Sequence, residues 1–246
     1  TNAVLEERIS SLEGGIGAIS TASGQAALFL AITTILGKGS HIVASKSLYG
    51  GSHNLLEYTL PRFGITSSFV DFRKPTNIKS AIQKNTGLIF GETLGNPGLD
   101  VMNIEMVSNI AHQNKLPLLV DSTFTTPYLM KPFDYGADLI FHSATKFLSG
   151  HGVVIGGLLV DSGNFEWNSN KKFKTLNEPY NGFHNMKFVE EFGPAAFINR
   201  ARKEGARDFG ACMSPHTAFL ILQGLETLSL RMEKHISNTR EIVSFL

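Results

Sequence analysis

Short apolar runs alternate along the chain with segments whose hydrophobic residues recur at helical spacing. After an opening helical pattern with Val4, Leu5 and Ile9 on one side, Glu13-Gly14-Gly15 makes a stop, and Ile16 to Thr21 reads as a connecting segment. Ser23-Gly24-Gln25 opens a helix running to about Leu36, with Ser23 as its N-cap and Gly37-Lys38-Gly39 ending it. Strands are predicted at His41 to Ala44, Ile65 to Phe72, Leu88 to Phe90 and Leu116 to Val120. Helices are predicted through Leu55, Leu56 and Leu60 to Pro61, over Asn77 to Lys84, and after Asn103, with Ile104, Val107, Ile110 and Ala111 on one face. The stretch Asp138 to Gly157 organises the rest: an apolar strand, a polar turn carrying Ser143, Thr145 and Lys146, a glycine-rich loop, and a second strand starting near Val153.

Beyond Asp161 the periodicity fades until about Pro194, which reads as a long surface excursion, either an active-site or interface loop or an insertion without function. Arg200 to Met213 is polar, and Ser214-Pro215 then starts a long helix through Leu230 and towards Leu246. Strands alternating with helices of about ten residues imply parallel βαβ units, a mainly parallel sheet and a three-layer α/β/α domain. The nearly continuous apolar runs suit strands covered on both faces. The domain is expected to span 1–225, with 226–246 beginning a linker helix. Because the chain opens and stops inside helical patterns, it is expected to be part of a longer polypeptide.

Composition narrows the function. Lys and Arg number 22 against 21 Asp and Glu, so no basic footprint for nucleic acid or an anionic membrane exists. A small-molecule substrate is the better expectation. Cys212 is the single cysteine, which excludes an intrachain disulfide and suits a reducing cytoplasm. No apolar run reaches the roughly 18 residues of a membrane span. His142 and His151 lack metal-ligand spacing, so no metal is expected.

Ligands in open α/β sheets bind beyond the carboxyl ends of strands, and Tyr49, Asn96, Asp121 and Ser143 to Lys146 all follow strand ends. Pyridoxal phosphate needs an imine-forming lysine, an anion at its pyridine nitrogen, phosphate donors and an aromatic ring to stack on. Lys146, Asp121, the hydroxyls of Ser143 and Thr145 with the helix start at Ser23-Gly24-Gln25, and Tyr49 supply those parts in turn. Singly, each has a plain structural reading: a solvated lysine, a turn aspartate, a capped helix, a packed tyrosine. Together they fill every role.

The stretches Ser23-Gly24-Gln25-Ala26-Ala27, Ser47-Leu48-Tyr49-Gly50-Gly51-Ser52, Glu92-Thr93-Leu94-Gly95-Asn96-Pro97, Val120 to Pro127 and His142-Ser143-Ala144-Thr145-Lys146-Phe147 closely resemble the Cys/Met-metabolism family of pyridoxal-phosphate enzymes. The resemblance runs in order along essentially the whole chain. It implies fold type I, the aspartate-aminotransferase-like fold, with Lys146 holding the cofactor, Asp121 at the ring nitrogen, and Tyr49 stacking and acting as acid or base. It further implies Gly24, Gln25, Ser143 and Thr145 at the phosphate, Asn96 at the ring hydroxyl and Thr123 beneath the ring.

Leu56 to Gly64, the long insertion after Val160-Asp161, and Leu222 to Leu228 are most similar to the branch that replaces the γ-substituent of O-acetylhomoserine with sulfide or methanethiol. Gly51 stands where methionine γ-lyases often carry cysteine, and γ-elimination from methionine or cystathionine is the alternative. A catalytically dead scaffold on the same sheet is a third reading. The family's Tyr-x-Arg segment is expected before Thr1, and a C-terminal domain carrying the carboxylate-binding arginine after Leu246. The implied assembly is a cytoplasmic homotetramer of two catalytic dimers, with an amino acid and a thiol as ligands and neither nucleic acid nor membrane as partner.

Overall fold

The structure is a computed structural model that describes residues 1–169 and 171–246. Its centre is a seven-stranded sheet. In chain order the strands are β1 (Gly17–Thr21), β2 (His41–Ser45), β3 (Thr66–Val70), β4 (Thr86–Glu92), β5 (Leu118–Asp121), β6 (Leu139–Ser143) and β7 (Gly157–Asp161). Their spatial order is β1-β7-β6-β5-β4-β2-β3. β3, β2, β4, β5 and β6 pair in parallel, whereas β7 runs antiparallel to both β6 and β1.

Period-two alternation explains the apolar runs. Ile42, Ala44, Leu88, Phe90, Leu119, Leu139, Phe141 and Leu159 point to one face, under helix α2 (Gly24–Ile35) and the 161–200 region. Val43, Ile89, Leu118 and Val120 point to the other, under the helix Ile104–Gln113. Ile140, Leu158 and Val160 share that second face, under helix α1 (Asn2–Glu13) and the helix Pro215–Glu226. Both faces are covered, which is why these runs are mainly apolar. Local signals behave as read: Ser23 caps α2 by accepting from Ala26 N, and Asn103 Oδ1 accepts from Met106 N.

Four expectations change. The segment Ile16 to Thr21 is not a connector; its last five residues are the edge strand β1. Its polarity hides it, because Ser20 lies buried and both its N and Oγ donate to Glu6 Oε1 at 2.7 Å. Arg202 holds that carboxylate and the Ala18 carbonyl, each at 2.7 Å. The seventh strand starts at Gly157 rather than near Val153, since Val153 and Ile155 lie in an exposed loop before pairing begins. Nor do the described residues of 161–194 lie only on the surface. Trp167, Phe173, Leu176 and Phe188 are buried, and Trp167 stacks on Phe197 with centroids 5.3 Å apart. Arg200, itself buried, lies over the Tyr180 ring at 3.9 Å. These contacts join residues far apart in sequence, which is why no period announces them. Finally, the last helix breaks at Thr227, and a second one spans Leu228–Phe245. The Arg231 guanidinium seals the break by donating to Gly224 O at 2.7 Å and to Phe147 O at 2.8 Å.

Two expectations about stability follow. Trp167→Ala should cost about 3–5 kcal/mol by urea denaturation, because it empties the centre of an aromatic cluster; a loss near zero would mean the segment is peripheral. Asp161 is buried at the end of β7, and burial pushes its carboxyl up to about 7 despite an amide bond from Gly163. Such a carboxyl holds its proton more tightly when folded, so stability falls as pH rises from the ordinary 3.8 to about 7. Urea midpoints of Asp161→Asn should therefore improve relative to the parent across that window, and a flat difference would contradict this.

Candidate active site

The carboxyl ends of β2, β4, β5 and β6 open into one cavity of about 350 Å³, the size of a small-molecule site. All ten sequence-predicted site residues line it: Ser23, Gly24, Gln25, Tyr49, Asn96, Asp121, Thr123, Ser143, Thr145 and Lys146. They come from five separate segments of the chain. Glu92, Thr93, Leu94, Phe124, Phe141 and Ile155 complete the lining.

Backbone fit sets the anion-binding corner. A Cβ on Gly24 would come within 2.8 Å of Ser143 Cα, and one on Gly157 within 2.0 Å of the Ser23 carbonyl. Glycine at both places lets the α2 N-terminus rest directly on the end of β6. The first amides of that 12-residue helix, on Gly24 and Gln25, have no intrahelical acceptor and carry its positive dipole end. Ser23 Oγ is engaged in capping. The Thr145 hydroxyl accepts from Gly156 N at 3.1 Å and faces the Gly156 carbonyl at 3.3 Å, which anchors the glycine-rich loop to the lysine turn. Lys146 follows directly, its amide donating to Ser143 O at 3.2 Å.

Opposite lies the acidic end. Asp121 Oδ1 accepts from Thr123 N at 2.9 Å and from Thr123 Oγ1, while that same Oγ1 accepts from Ser143 N at 2.8 Å. Both Thr123 bonds fall on Oδ1, so Oδ2 has capacity for another donor. Burial pushes the Asp121 carboxyl up, and the Thr123 bonds and the nearby His142 pull it back. Behind Ser143, His142 Nε2 and Glu13 Oε1 form a fully buried pair at 2.7 Å. Glu92, which pairs in register with Asp121 across β4 and β5, is pushed up to about 8 by burial and then by that neighbour. Tyr49 N donates to Glu92 Oε1 at 2.6 Å. A half-exposed Tyr49 ring stands over Gly51, where an added Cβ would come within 2.6 Å of Cε1.

A carboxyl buried against solvation and offering a free oxygen favours a cationic N–H partner. A helix N-terminus favours an anion. One cavity that presents both, with an aromatic ring and a lysine between, fits pyridoxal phosphate. Glu92 stands in the Glu92 to Pro97 motif without a role assigned by the sequence alone; a carboxyl ending a wholly buried strand is the signal that marks it. Among the described residues no group of three or more His, Cys, Asp or Glu could hold a metal, and no helix is long and apolar enough to cross a membrane.

The model of the family described as "Cys/Met metabolism PLP-dependent enzyme" matches residues 1–246. An O-acetyl-L-homoserine sulfhydrylase of Leptospira meyeri is 48% identical over all of this chain and 57% of its own length. A homocysteine synthase of Schizosaccharomyces pombe is 46% identical over 99% of this chain and 57% of its own. The chain thus spans little more than half the length of these curated relatives. A solved structure described as an O-acetylhomoserine (thiol)-lyase from Campylobacter jejuni subsp. jejuni, containing N'-pyridoxyl-lysine-5'-monophosphate, superposes with a TM-score of 0.95 at 35% identity, covering 99% of this chain and 60% of that one.

Thr123→Val keeps the shape of the side chain but removes the hydroxyl that joins Asp121 to Ser143, leaving the part-buried Ser143 amide without its acceptor. It should lower the urea-derived stability by roughly 1–3 kcal/mol, with Thr123→Ser close to the parent. Equal stability of the valine variant and the parent would show that the bridge contributes nothing.

Proposed function

The chain belongs to the Cys/Met metabolism PLP-dependent enzymes, and from that premise we propose that it carries out γ-replacement on O-acetylhomoserine, with sulfide or methanethiol as the incoming thiol and homocysteine or methionine as product. The observation that carries the reading is the convergence of Lys146, Asp121, Tyr49 and the α2 N-terminus on one cavity. Relatives named as O-acetylhomoserine sulfhydrylase and homocysteine synthase support the choice of substrate.

Pyridoxal phosphate, when bound, supplies an electron sink for negative charge on the α-carbon of an amino acid. Lys146 is the residue that would hold it, with Asp121 at the ring nitrogen, Tyr49 against the ring face and Asn96 at the ring hydroxyl. Gly24 and Gln25 amides with the Ser143 and Thr145 hydroxyls would take its phosphate. The chain's own groups then move protons. Lys146 Nζ, freed once the substrate amine takes its place, removes the proton from the α-carbon, relays it onward and then takes one from the β-carbon, with the Tyr49 hydroxyl assisting. Acetate departs from the γ-carbon, the thiol adds there with loss of its own proton, and protons return to the β- and α-carbons before Lys146 releases the product. Thr123 keeps Asp121 oriented through both steps, and Phe124, Phe141 and Ile155 supply apolar wall to the cavity. We assign the protein to the cytoplasm as a homotetramer built from two catalytic dimers.

Steady-state assays separate this reaction from γ-elimination. O-acetylhomoserine with sulfide should yield homocysteine, whereas methionine alone should yield little 2-oxobutyrate; efficient 2-oxobutyrate release from methionine without added thiol would favour the lyase. Lys146→Ala should abolish turnover and leave the far-UV circular dichroism unchanged. Turnover near the parental rate in that variant would overturn the role of Lys146.

A further inference from the structure

Of the buried carboxylates, several serve the scaffold: Glu6 holds β1, Glu13 pairs with His142, and Asp138 takes His112 and the Leu118 amide. Glu92 differs, because its side chain lines the cofactor cavity and also the neighbouring cavity of about 280 Å³ walled by Ser47, Asp71, Arg73 and Asp100. It is almost fully buried at the last position of β4. Its carboxyl accepts the backbone amide of Tyr49 at 2.6 Å and is faced by the backbone amide of Asn96. Those amides belong to two different loops, one following β2 and one following β4, and each loop carries a residue assigned to the cofactor ring.

The loops need such a fastening. Tyr49 is half exposed, and no side chain caps the short helix Gly50–Asn54 that follows it. The hydrogen bond to Glu92 therefore sets where the Tyr49 backbone stands. Asn96 lies only four residues past the strand end, in a turn closed by Gly95 N to Asp100 O at 2.9 Å. One acceptor at the end of a rigid central strand can fix both loops, because a strand buried on each side cannot tilt to follow either. We infer that Glu92 is a positioning residue that clamps the Tyr49 and Asn96 loops together and so sets the walls between which the cofactor ring fits. The inference rests on the assignment of this cavity to pyridoxal phosphate. It is independent of which thiol or leaving group the enzyme uses.

The test reads the loops directly. Glu92→Met keeps the volume and removes the acceptors; Glu92→Gln keeps an acceptor oxygen. Hydrogen exchange resolved at the Tyr49 and Asn96 amides should accelerate about tenfold or more in Glu92→Met, and pyridoxal phosphate titrated into the cofactor-stripped protein should bind about tenfold more weakly. The rest of the sheet should exchange as in the parent, and Glu92→Gln should restore most of both readouts. Parental exchange at both amides in Glu92→Met overturns the inference. So does acceleration spread evenly over the sheet, which marks a purely structural carboxyl. Should Glu92→Met not fold, the unsubstituted protein decides: both amides should exchange slowly although their loops are near solvent, and fast exchange at both overturns the inference.

Discussion

One hydroxyl joins the two ends of the site. Thr123 Oγ1 donates to Asp121 on β5 and accepts from the backbone of Ser143 on β6, so the carboxylate and the lysine turn cannot move independently. Hydrogen bonds to a charged group in a poorly solvated place are among the stronger ones a protein makes. Ser143 in turn is the surface on which Gly24 rests, which adds the α2 N-terminus to the same unit. The cavity therefore has a fixed anion-seeking corner and a fixed cation-seeking floor, with Lys146 three peptide units past Ser143 and one past Thr145. Everything assigned to the ring and phosphate of a cofactor depends on that spacing.

Charge arrangement follows from the sheet. Parallel strands bring their carboxyl ends to one edge, and the register of β4 and β5 puts Glu92 beside Asp121. Two buried carboxyls in register resist joint ionisation, and burial alone raises both. A cationic ring nitrogen at Asp121 would relieve one of them. The polar site is built at the cost of this mutual repulsion, and the hydrogen bonds from Thr123 and Tyr49, with the Asn96 amide facing Glu92, offset part of it.

Much of this was legible in the amino-acid order. The parallel strands announced themselves through apolar runs such as Leu88-Ile89-Phe90, and the ten cavity residues stood at strand or helix ends because that is where such a sheet leaves backbone amides and side chains exposed to a ligand. Illegible features share a different cause. β1 is stabilised by Glu6 reaching from α1, so its own residues need not be apolar. Trp167, Phe173 and Phe188 pack with Phe197 and around Arg200, a core assembled from distant aromatic residues and not from any local period. Val153 and Ile155 looked like strand residues, but pairing with β1 and β6 begins only at Gly157. The break at Thr227 is bridged by Arg231, which binds the Gly224 carbonyl on the near side and the Phe147 carbonyl far away in the chain, a partner that no local window contains. Glu92 went unassigned since its partners are main-chain amides that leave no side-chain signature.

Chemical trapping reaches the central claim most directly. Pyridoxal phosphate bound to the protein can be reduced with borohydride, and the digested chain mapped by mass spectrometry. The pyridoxyl group should appear on the peptide containing Lys146, and Asp121→Ala should weaken its incorporation. A pyridoxyl group on another lysine, such as Lys46 beside the neighbouring cavity, or none on Lys146, would contradict a site built from Asp121, Thr123 and the lysine turn.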